Sequence, residues 1–98
     1  MTPIRWTPQA AADLQQIHDF IAVDSPHYAA AEAARVLNAI EQLAHFPRSG
    51  RLVPERPQDT LRELIRPPYR IVYRITGEAV HILMIFRASR VFPDSEES

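Results

Sequence analysis

Eleven arginines and no lysine supply the basic charge of this 98-residue chain, and nine of the eleven lie between residues 48 and 90. Arginine carries a planar, permanently charged fork that grips carboxylate or phosphate through paired hydrogen bonds. The same segment holds only four acids, Glu55, Asp59, Glu63 and Glu78, so its net charge is +5. Residues 1–47 carry −3 and residues 91–98 another −3, which leaves the chain at −1. One segment is thus equipped to meet an anionic partner, while the chain as a whole is not basic. Catalytic groups are scarcer. The four histidines, His18, His27, His45 and His81, lack metal-ligand spacing, and with no cysteine there is no thiolate site and no disulfide. Two glycines, Gly50 and Gly77, are too few for a phosphate-cradling loop. No metal, cofactor or catalytic residue is therefore expected. Only His81 and Glu63 are placed to move a proton near the arginines, and no serine nucleophile signature accompanies them.

The elements that must position these side chains can be read from periodicity and punctuation. Ile4 to Trp6 reads as a short strand. Thr7 then Pro8 is a helix start, a capping hydroxyl followed by a residue whose φ is already set. Ala10, Leu14, Ile17 and Ile21 form one apolar stripe over residues 8–23, with Asp13, Gln16 and Asp19 left to face water. Ser25 and Pro26 repeat the signal, and Ala29, Ala33, Val36, Leu37, Ile40, Leu43 and Ala44 carry the helical period to about residue 45. Phe46 before Pro47 ends it. So short a connection makes an antiparallel hairpin. Residues 47–59, with three prolines and a glycine, read as a long loop, and residues 60–66, 69–75 and 79–86 as three antiparallel strands. The fold class expected is α+β: a short N-terminal strand, then a helical hairpin packed on an antiparallel sheet. Residues 1–90 form one domain, and residues 91–98 an acidic, flexible tail. No apolar run is long enough to cross a bilayer, and the first residues lack a signal peptide's apolar stretch, so a cytoplasmic location is the expectation.

Alternation sorts the strand residues onto two faces. Leu61, Ile65, Tyr69, Ile71, Tyr73, Ile75, Val80, Ile82, Met84 and Phe86 are expected against the helices, with Glu63 as the polar exception. The other face would collect Arg62, Arg66, Arg70, Arg74 and Arg87 with His81, Leu64, Val72, Leu83 and Ile85, and Arg90 just beyond. A merely solvated face does not need those aliphatic residues; arginine mixed with aliphatic surface suits a macromolecular partner. The residues expected to bind that partner are Arg62, Arg66, Arg70, Arg74, Leu83, Ile85, Arg87 and Arg90.

In this order and spacing the residues resemble the ParE/RelE superfamily of toxins from type II toxin–antitoxin modules, on the ParE side. The resemblance rests on Trp6 with Ala10, Ala11, Ala12, Asp13, Leu14 and Ile17, and on Leu43 followed by Phe46, Pro47, Arg48, Ser49, Gly50 and Arg51. It continues through Arg62, Glu63 and Leu64, through Tyr69 to Arg74, and through Val80, His81, Ile82 and Leu83 to Arg87 and Arg90. It spans residues 4–90 and implies a helical hairpin on a sheet that the first strand also joins. It further implies a growth-inhibiting toxin held in a hetero-oligomer by a cognate antitoxin, whose C-terminal segment wraps it. ParE-like members are associated with DNA gyrase inhibition, and RelE-like members cut messenger RNA on the ribosome. Arg70 and Arg90 match the arginines of the RNA-cleaving branch, but lysine is absent and no Tyr or His follows Arg90. That pattern favours a gyrase inhibitor over a nuclease. Arg87 stands where many ParE-like chains have histidine, which keeps open an altered target or a module that binds its antitoxin without being toxic.

Overall fold

The structure is a computed structural model, and it describes residues 1–90 and Phe92. The acidic tail expected over residues 91–98 otherwise lies outside the described residues. Among the described residues five strands and two helices follow in the order β1 (Ile4–Trp6), α1 (Pro8–Ala22), α2 (Pro26–Glu41), β2 (Arg51–Leu52), β3 (Leu61–Arg66), β4 (Tyr69–Thr76) and β5 (Ala79–Arg87). A single 3-10 turn at Gln42–Ala44 extends α2.

Both helices start as their punctuation dictates. The Thr7 hydroxyl accepts the Ala10 N–H at 3.1 Å, and the Ser25 hydroxyl accepts that of Tyr28 at 3.2 Å. Each cap satisfies one of the N–H groups that a helix start leaves without an intrahelical partner. The sheet order is β1-β5-β4-β3-β2. The sheet is mixed rather than wholly antiparallel, because β1 runs parallel to β5 while the other neighbours are antiparallel. The long loop also contributes a strand that alternation could not show: β2 is two residues long.

The main core lies between the helices and one sheet face. Ala10, Val36, Ala39, Ile40 and Leu43 meet Leu64, Tyr69, Ile71, Tyr73, Val80, Ile82 and Ile85, with Leu14, Ile17 and Trp6 at its margin. Ala10 on α1 and Ala29 on α2 are both fully buried. A second, smaller core occupies the far face, where Val53, Leu61, Val72, Phe86 and Phe92 cluster with Leu83 and Met84.

That second core corrects the face assignment at two places. The connection between β3 and β4 is the two-residue turn Pro67–Pro68, so Arg66 lies directly opposite Tyr69 and the two share a face. Every β3 side chain is therefore on the side opposite to that expected. Arg62, Leu64 and Arg66 face the helices, beside Tyr73, Ile71 and Tyr69; Leu61, Glu63 and Ile65 face outward. The second correction is in β5. Tyr73 pairs with Ile82 but Val72 pairs with Met84, so Leu83 is an extra residue, a β-bulge. Beyond it the alternation changes phase: Ile85 and Arg87 turn to the helix side, and Met84 and Phe86 to the outer face.

Candidate binding surface

The long loop is fastened at its base by one tyrosine. The Tyr73 hydroxyl donates to the Pro47 carbonyl at 2.8 Å and accepts the Gly50 N–H at 2.9 Å. Arg62 adds a hydrogen bond to the Gly50 carbonyl at 2.7 Å and a longer one, 3.4 Å, to that of Arg48. Position 50 has no room for a side chain: a Cβ there would stand 2.6 Å from both the Glu63 carbonyl oxygen and the Tyr73 hydroxyl. Burial pushes the Tyr73 phenol up from its usual range. Its single proton is already committed to a carbonyl.

The loop then folds over the outer face and brings Glu55 to Arg70. Arg70 donates from both terminal nitrogens to the two Glu55 oxygens, at 2.9 and 2.8 Å. It also meets Glu63 Oε1 at 2.6 Å, and Glu63 Oε2 accepts from Arg51 Nε at 2.7 Å. Two guanidinium groups and two carboxylates therefore neutralise each other. Glu63 is fully enclosed and Arg70 is only 7% exposed. Phe86 and Phe92 lie with their ring centroids each 5.3 Å from the Arg70 guanidinium carbon, and they meet each other edge to face. The Arg70 hydrogen bonds hold the Glu55 carboxyl down to about 2, and the same bonds raise Arg70 above its usual value. Of the four groups, the Glu55 side chain keeps 43% of its surface in water and Arg51 60%, so solvent screens the outer ends of the network.

On the opposite edge, α1 is sewn to β5 where β1 stops. The Thr7 hydroxyl donates to the Ile82 carbonyl at 2.8 Å, and Asp13, expected to face water, accepts the Ile85 N–H at 2.9 Å. The bulge lies between these two contacts. Past it the outer edge of β5 has no neighbouring strand among the described residues, and a groove of about 230 Å³ opens between this edge and α1. Ile17, Phe20, Tyr69 and Ile85 give it apolar walls, and Arg87 and Arg90 stand at its rim. Arg87 lies over the Tyr69 ring at 5.9 Å, and Phe20 is 79% exposed.

The eight residues expected to form one partner-binding face are thus distributed over three places. Arg70, Arg74 and Leu83 lie on the outer face, Arg70 already paired. Arg62 and Arg66 lie on the helix side of β3, with their hydrogen bonds going to backbone carbonyls. Ile85 is a core residue, while Arg87 and Arg90 belong to the groove. Sequence reasoning missed Glu55, Asp13 and Phe20. Asp13 was the findable one: it sits among apolar residues on the first helix, nearly two turns past a capping threonine. Among the described residues no group of histidines and carboxylates could hold a metal ion, and no helix is long and apolar enough to cross a membrane.

Comparison with known proteins agrees with this architecture. Two curated relatives are each 41% identical over 92 residues. "Toxin RelE2" of Caulobacter vibrioides matches 93% of this chain and 100% of its own length, and "Putative toxin Y4kP" of Sinorhizobium fredii matches 92% of each. Among solved structures, the chromosomal ParDE toxin–antitoxin system from P. aeruginosa superposes with a TM-score of 0.71 at 28% identity, over 89% of this chain and 96% of that one. The RelBE2 toxin–antitoxin complex from Mycobacterium tuberculosis gives a TM-score of 0.62 at 27% identity, over 88% and 96%. The expected hairpin-on-sheet fold and the toxin superfamily are both borne out. With residues 4–92 matching the family described as "ParE toxin of type II toxin-antitoxin system, parDE", the chain belongs to the ParE toxins of the ParE/RelE superfamily.

Proposed function

We infer that this toxin acts by binding DNA gyrase rather than by cutting RNA, and that a cognate antitoxin neutralises it. The observation that carries the first part is the state of Arg70. Cleavage by a ribose 2′-hydroxyl needs a base, an acid and a free positive group beside the developing charge. The resemblance assigns that last role to the strand arginine, which here is buried, bidentate to Glu55 and stacked against Phe86 and Phe92. Tyr73, a phenol close to the loop, is likewise committed to Pro47 and Gly50. Purified toxin should inhibit gyrase supercoiling of a relaxed plasmid in proportion to its concentration, and primer extension on translated transcripts should find no new 5′ ends in the ribosomal A site. Normal supercoiling at saturating toxin, with A-site cuts, would reverse the assignment. The second reading, a ribosome-dependent endonuclease, is favoured by the name of the 41% identical relative "Toxin RelE2"; the same pair of assays decides it.

For the antitoxin, the groove between α1 and the free edge of β5 is the better seat than the outer face centred on Arg70. It offers apolar walls, an exposed Phe20 and two arginines, Arg87 and Arg90, with no carboxylate partner among the described residues. The structures of relatives named as toxin–antitoxin complexes support a partner of this kind. The segment that fits is apolar toward Ile17 and Ile85, with acids toward the two arginines. Arg87→Ala should weaken antitoxin binding by roughly 1–3 kcal/mol if that pair is desolvated in the complex. Surface plasmon resonance reads it, and an unchanged Kd at moderate salt would move the site elsewhere.

A further inference from the structure

The outer face carries charge in two opposite ways. Around Arg70 every charged group has its counter-ion. Two rows along from Arg70 it does not. Arg5 on β1 is in register with His81 on β5, and His81 with Arg74 on β4, so three potentially cationic side chains stand side by side on one face. Among the described residues none of the three has an ion pair, hydrogen bond or ring contact. Neighbouring strands are about 4.8 Å apart, so the row is about 10 Å long. Two guanidinium groups thus flank one imidazole without a counter-ion among the described residues, whereas the Arg70 network on the same face is paired throughout.

We propose that the row of Arg5, His81 and Arg74 is a binding site for an acidic segment of another protein. Two observations favour a polypeptide over nucleic acid. The row borders Leu83 and Met84, half-buried aliphatic residues at the edge of the second core; arginine beside apolar surface is the composition of protein interfaces. The chain's net charge of −1 also provides no broad basic field to hold a phosphate backbone. In an extended partner, acids two residues apart stand about 6.8 Å from each other on one side, within reach of the guanidinium groups that flank His81. An apolar residue at the end of such a segment would cover Leu83 and Met84. The site is distinct from the α1–β5 groove and does not depend on which target the toxin takes.

The test is a titration of the full-length, isotope-labelled toxin with a capped Leu-Glu-Ser-Glu-Leu peptide, followed by NMR, beside parallel titrations with an octathymidylate strand and a short DNA duplex. The peptide should shift the amides of Arg5, Arg74, His81 and Leu83, with affinity falling as salt rises. The R5Q/R74Q variant should bind it roughly tenfold more weakly, two exposed ion-pair contacts having been removed, and should melt no lower than the parent because neither guanidinium has a partner among the described residues. Should that variant fail to fold, R5E at the exposed edge strand carries the test and should weaken binding by a similar factor. Shifts confined to other surfaces, none at millimolar peptide, an affinity unmoved by these substitutions, or tighter binding of either DNA at the same residues would each overturn the proposal.

Discussion

Replacing Arg70 by methionine is the most informative perturbation of this fold. The side chain keeps its apolar stem against Phe86 and Phe92 but loses its hydrogen bonds to Glu63 and Glu55. Glu63 is the group that suffers. It has no exposed surface, and its remaining partner is Arg51, whose guanidinium sits mostly in water at 2.7 Å. Removing one member of a buried pair costs about 3–5 kcal/mol, because the other is left desolvated. Arg51 keeps part of the compensation, so about 3 kcal/mol is the expected loss. Glu55 is 43% exposed and simply rehydrates, so Glu55→Gln should cost no more than about 1 kcal/mol. Urea unfolding followed through Trp6, which packs at the margin of the main core, reads the difference. With a slope near about 1.5 kcal/mol/M, the R70M midpoint should fall by about 2 M. The R70M/E63L variant then removes the stranded carboxylate and should recover most of the loss, since apolar replacement of a buried pair is often neutral. An R70M midpoint within about 0.5 M of the parent, or a double variant no better than the single one, would show that Glu63 is not held by Arg70.

Three further outcomes follow from particular contacts. Gly50→Ala should destabilise by about 2–3 kcal/mol through overpacking, and Tyr73→Phe should not rescue it, because the Cβ also meets the Glu63 carbonyl oxygen; urea midpoints of both variants and their combination decide this. Glu55 has its folded pKa lowered from 4.5 to about 2, so its contribution to stability is complete above pH 4.5 and is lost as pH falls toward 2. The acid limb of the stability profile should therefore flatten over that window in Glu55→Gln. Asp13→Ala leaves the Ile85 N–H without its acceptor at 2.9 Å; a loss of about 1–2 kcal/mol is expected, with hydrogen exchange at Ile85 accelerated well beyond that at Ile71.

The hairpin was legible because its signals are local. Capping residues followed by proline, and apolar stripes of period 3.6, need no knowledge of the rest of the chain, and Pro8 and Pro26 are the first residues of α1 and α2. The sheet was legible as strands but not as faces. Its alternation assumed an unbroken period through the connection between β3 and β4, whereas a two-residue turn puts Arg66 opposite Tyr69 and fixes the phase of β3 from that of β4. The second assumption was that arginines on strands are free. Nothing near Arg70 in sequence announces that Glu55, fifteen residues earlier in a proline-rich loop, closes over it. A paired charge and a free one look identical in a sequence, and only tertiary contact separates Arg70 from Arg74. The groove was partly visible through Arg87 and Arg90; its floor depended on the phase change in β5, which alternation alone does not reveal.

The single supernumerary residue Leu83 has a consequence for comparing this chain with its relatives. Upstream of it the even-numbered positions of β5 are interior, and downstream the odd-numbered ones are. A homologue lacking that insertion, aligned without a gap, would match both Ile85 and Arg87, which lie on the helix side here, to outer-face positions, so evolutionary profiles drawn across the strand would average two unlike environments. Deleting Leu83 from this chain would instead restore an unbroken alternation, leaving Ile85 toward the helices and Phe86 beside Arg70.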